Sequence, residues 1–212
     1  MNHSKTVPVP SLAEEITNAV SHGIGALLSL GVLPILIVFA KGPAATFGAF
    51  LFGTSLVFLY LMSTLYHSFP EGAAKKVLQQ MDHAAIFVLI AGSYSVFCLS
   101  RFYETIGPRL CIEVWALAGI GILAQIIWGR KAHTFAQVLY LLMGWLVIYH
   151  FHEVVATFTP AQFWLLLSGG LAYTVGFVFY ALQKFPWMHP TWHFFVLGGS
   201  ICHVICVMLI FL

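Results

Sequence analysis

Apolar residues fall in seven long runs along this chain, separated by short polar breaks. A polar, proline-containing tail over residues 1–12 ends in Ser11-Leu12-Ala13-Glu14, a serine with an acid three residues on, which fits a capping box opening a helix. That helix carries Glu14, Glu15, Asn18 and His22 on its first turns and is then apolar to about Ala40, where Lys41-Gly42-Pro43 breaks it. Further runs cover about residues 44–66, 82–100, 110–128, 134–151, 160–183 and 191–212. The breaks hold Glu71, Lys75 and Lys76, then Arg101 and Arg109, then Gly129-Arg130-Lys131, then Thr159-Pro160, then Lys184. Runs of about 18–24 residues suit helices that cross a ~30 Å hydrocarbon core. They lack the short period-two alternation of a barrel strand. The pattern predicts an all-α integral membrane protein, a bundle of seven transmembrane helices forming one domain over residues 13–212.

Composition supports this: 60% of residues are hydrophobic and 8% charged, with a mean hydropathy of +0.94. A soluble chain could not keep enough polar surface in water on that mixture. The net charge of +2 is too small and too dispersed to argue for nucleic acid. Cys98, Cys111, Cys202 and Cys206 form no CxxC pair, so a thiol metal site or redox motif is not expected; Cys202 and Cys206 read as packing residues. No basic stretch followed by an apolar core and small-residue cleavage site opens the chain, so no cleaved signal peptide is expected. Lysines and arginines in the breaks number six on the side of the N-terminus and three on the other, which places the N-terminus in the cytoplasm and the C-terminus outside.

Ionisable groups inside an apolar zone are costly unless paired, hydrated or metal-bound, so each is a functional candidate. His189-Pro190-Thr191-Trp192-His193 opens the last run, and histidines four apart on a helix share a face, ~6 Å apart along its axis. Ser63 and His67 repeat that spacing at the end of the second run, and Asp82 stands at the mouth of the third. With the N-terminus inside, all of these reach the cytoplasmic third of the bilayer, joined by Glu15 and His22. Three histidines suit a divalent transition ion, most commonly zinc, in a site that leaves a fourth position for water. Such an ion makes its water acidic near neutral pH. Asp82 then serves as an outer partner or general base, and the Ser63 hydroxyl as a second hold on the same water. Glu15 and His22 are read either as accessories to the site or as a buried structural pair. His3, His83, His133, His150 and His152 are set aside as interfacial residues. His203 lies ten residues, or ~15 Å of helix, beyond His193 and is expected to make a hydrogen bond between helices.

Glu15-x-x-Asn18-x-x-x-His22, Ser63-x-x-x-His67, Asp82 and His189-x-x-x-His193 together resemble the motifs of the haemolysin III family, in order and in spacing over nearly the whole chain. That family groups with the progestin and adipoQ receptors and the alkaline ceramidases. The resemblance implies seven helices with the N-terminus inside and a zinc ion near the cytoplasmic face. His67, His189 and His193 would be its ligands, with Asp82 and Ser63 beside the water. The receptor branch is linked to hydrolysis of the ceramide amide bond, and the bacterial branch to membrane-lipid homeostasis in the inner membrane. Two function classes follow. One is a zinc-dependent hydrolase acting on a membrane-lipid amide or ester. The other is a non-enzymatic sensor or a pore-forming, cytolytic protein in which zinc only staples helices together. The fourth and sixth runs are almost uniformly apolar and show no pore-lining stripe, and no inverted repeat or broken-helix pair favours a transporter. Protein partners are not indicated.

Overall fold

A computed structural model describes residues 10–212, all of whose regular structure is helical. Residues 1–9, most of the expected polar tail with His3 and Lys5, lie outside the described residues. Helix α1 (Leu12–Phe39) starts at the expected capping box: the Ser11 side chain accepts from the Glu14 backbone while the Glu14 carboxylate accepts from Ser11. It is followed by α2 (Pro43–Ser68), α3 (Ala73–Ser100), α4 (Gly107–Trp128), α5 (His133–Gly144), α6 (Phe151–Thr157), α7 (Pro160–Ala181) and α8 (Met188–Phe211). Proline sits in the first turn of α2, α4 and α7, where its missing N–H costs nothing. Among the described residues seven segments are long and apolar enough to cross a membrane, α5 and α6 together making the fifth. Helices α1 to α5 pack in chain order, α7 packs on α8, and α8 closes against α1.

Two boundaries differ from expectation. Helix α3 begins at Ala73, nine positions before Asp82, so Lys75 belongs to the helix rather than to a loop. The fifth span is broken: α5 stops at Gly144, a 3-10 turn covers Leu146–His150, and α6 resumes. Inside a bilayer freed backbone groups need partners. Here Tyr94 from α3 supplies them, its hydroxyl donating to the Gly144 carbonyl at 3.2 Å and accepting from the Val147 amide at 3.0 Å. Tyr94→Phe strips both groups of their partner, and its expected cost is about 1–3 kcal/mol of stability. Thermal unfolding in detergent checks this; an unchanged midpoint would show that the break does not depend on the hydroxyl.

Close approach of α2 and α3 rests on Gly48, where an added Cβ would lie 2.8 Å from the Ser95 carbonyl oxygen. It lies near the start of α2, at the opposite end of that helix from His67.

Candidate metal centre

His67 lies on the last turn of α2, and His189 and His193 lie on the first turns of α8. One ring nitrogen from each gathers within 4.8 Å of the others, joining two helices far apart in sequence. His189 Nε2 stands 3.3 Å from His67 Nε2 and 3.2 Å from His193 Nε2.

The opposite nitrogens decide what these contacts are. His67 Nδ1 is 2.5 Å from Glu15 Oε2, a pure acceptor, so it carries a proton and donates it. Asn18 stands behind the same nitrogen, its amide 3.5 Å away. His193 Nδ1 is 3.4 Å from the Ser21 hydroxyl, whose own hydrogen goes to the Asn18 carbonyl, so His193 Nδ1–H donates as well. Both rings are thereby assigned the tautomer that turns the Nε2 lone pair inward. His189 Nε2 holds at most one proton and can serve only one of its two neighbours. The other would face it lone pair to lone pair unless a cation lies between them. Zinc with Zn–N bonds of ~2.0–2.1 Å in tetrahedral array needs nitrogens ~3.3 Å apart. Both separations from His189 match that spacing, and the three histidines could hold a metal ion.

Asp82 and Ser63 stand outside the three-nitrogen cluster, side by side in the wall of the adjoining cavity. This cavity, about 130 Å³, is also bordered by His189, His193 and His22. It shares Tyr94, Trp145, Gly170 and His203 with a second, mostly apolar cavity of about 380 Å³ further along the bundle.

The accessory residues arrange themselves differently from a Glu15–His22 pair. Glu15 grips His67 and, through Oε1, the Lys75 ammonium at 2.9 Å. His22 stacks on His193 with ring centroids 3.6 Å apart and meets Tyr60 edge-on at 5.0 Å; neither of its ring nitrogens has a hydrogen-bond partner among the described residues. A carboxylate finds more in two cationic or donor partners on neighbouring helices than in a buried neutral ring on its own. His83 lines the cavity beside Asp82, and His133 bonds the Tyr180 hydroxyl at 3.1 Å, so neither is merely interfacial. His150 and His152 belong to the other end of the fifth span. His203 Nε2 is 3.3 Å from the Leu166 carbonyl of α7, the interhelical bond expected of it.

Sequence reasoning missed Lys75, Glu14 and Ser21. Lys75 lies seven residues before Asp82, two helical turns away on the same face, and that spacing was the available signal. Glu14 does more than cap: its Oε1 accepts from the Trp187 amide at 2.6 Å, tying α1 to the turn that launches His189. Trp187 holds φ = 64° there, a left-handed conformation rare for a bulky residue.

The fold and site define a multi-pass, seven-helix membrane protein with a buried three-histidine cluster near one face. The Haemolysin-III related family model matches residues 11–204, and the chain belongs to the haemolysin III family. It is 43% identical to the Hemolysin-3 homolog of Bacillus subtilis over 201 residues, covering 93% of this chain and 94% of that one. It is 40% identical to Hemolysin-3 of Bacillus cereus over 211 residues, covering 98% and 96%.

Proposed function

We propose that this protein is a zinc-dependent hydrolase embedded in the bacterial inner membrane, cleaving an amide or ester of a membrane lipid and serving lipid homeostasis. In this reading the N-terminus and the histidine centre face the cytoplasm. The observation that supports it is the set of three Nε2 atoms beside a cavity that also presents a carboxylate and a hydroxyl. His67, His189 and His193 hold the zinc. When bound, zinc supplies Lewis acidity towards carbonyl and water oxygens.

The chain's own groups do the rest. The apolar cavity wall takes the lipid chain and excludes bulk water from the reacting bond. Ser63 orients the attacking water by a hydrogen bond. The Asp82 carboxylate accepts that water's proton as its oxygen bonds to the acyl carbon, then passes the proton to the departing nitrogen or oxygen as the C–N or C–O bond breaks. The products are a fatty acid and an amine or alcohol.

Protein purified in mild detergent should release fatty acid from long-chain lipid amides or esters, lose that activity on chelation and regain it with zinc. Zinc-loaded protein inert towards both classes of lipid contradicts the hydrolase. That result favours the sensor or pore reading, to which the relatives' names lend their word and in which the metal only ties α2 to α8. A structural zinc site is closed by four protein ligands, and the cluster among the described residues has three.

A further inference from the structure

We infer that Lys75 is a positioning residue of the histidine centre, acting on His67 from two directions; the inference rests on the zinc reading above. Its ammonium donates to Glu15 Oε1 at 2.9 Å, while the other oxygen of that carboxylate takes the His67 Nδ1–H at 2.5 Å. The same ammonium donates to the Phe69 carbonyl at 3.1 Å. Phe69 caps α2 two residues after His67, so the lysine holds the helix end on which the ligand rides. A cation at a helix C-terminus is also favoured by the helix dipole. The ammonium lies 5.2 Å from the centre of the Tyr66 ring, the residue before His67.

A lysine that is only 8% exposed loses most of its hydration, and such charges are kept where they have a partner. Among the described residues the ammonium has three partners, and each either lies within two residues of His67 in sequence or bonds to it. Without the lysine, the Glu15 carboxylate keeps His67 as its one remaining partner among the described residues and is free to swing towards water. His67 then loses the acceptor that fixes its tautomer, and the Nε2 lone pair is no longer held inward. Outer partners of this kind change metal affinity by ~10–100-fold when removed. A lysine that merely pinned α3 to α1 would alter stability and leave the His67 ring as it was.

The test uses the full chain in detergent with Lys75→Met and Lys75→Arg. Zinc affinity is read by competition with a chelator, the His67 tautomer by nitrogen NMR of the metal-free protein with labelled histidine, and folding by thermal unfolding. Lys75→Met should bind zinc ~10–100-fold more weakly and show His67 divided between tautomers, while Lys75→Arg restores both. Wild-type affinity together with an unchanged His67 tautomer in Lys75→Met overturns the inference, as does a loss of stability with the tautomer unmoved. If the wild type takes up no zinc, the zinc reading fails, and the tautomer measurement still decides the role of Lys75.

Discussion

Asp82→Ala is expected to lower lipid hydrolysis by about two to four orders of magnitude, the usual worth of a positioned general base, while the protein keeps its zinc. Both halves follow from where Asp82 sits. It shares the cavity with Ser63 and two of the histidines, but it is not among the three residues whose nitrogens converge. Removing it therefore takes away the proton acceptor and leaves the ligand set untouched. Turnover and metal content measured on the same preparation check the prediction. Full activity in the variant rules out Asp82 as the base, and loss of zinc would make it a ligand rather than a base.

The second large effect concerns the metal. The His189→Ala, His193→Ala double variant removes both nitrogens that α8 contributes and leaves His67 alone, so no zinc is expected to remain. The helices should still assemble, because α7, α8 and α1 meet through an apolar core that includes Val196, Cys206, Val207 and Phe211. His22 loses its stacking partner in this variant, which lowers stability without removing the fold. Elemental analysis beside the wild type decides the matter; zinc retained at the wild-type level would place the ion elsewhere.

The seven spans were legible because each is a long apolar run closed by glycine, proline or charge, a signal carried within the segment itself. The histidine spacing was legible for the same reason: i and i+4 on a helix meet without help from the rest of the chain. What sequence could not show depended on partners from other helices. Lys75 looks like loop polarity until Glu15 of α1 is seen to bury it. The break at Gly144 follows an ordinary apolar run and is stabilised by a tyrosine fifty residues upstream. Glu15 and His22 share a face of α1, yet the carboxylate turns to α2 and α3 and the imidazole to α8. His83 was set aside as an interfacial residue, and the packing of α5, whose Tyr140 bonds the His83 carbonyl at 2.8 Å, is what encloses it in the cavity wall.

X-ray absorption at the zinc edge, with metal content determined on the same purified protein, tests the central claim most directly. The account predicts about one zinc per chain with three imidazole nitrogens at ~2.0–2.1 Å and one oxygen from solvent. A shell closed by four protein ligands, or no zinc at all after it has been supplied to folded protein, would contradict it.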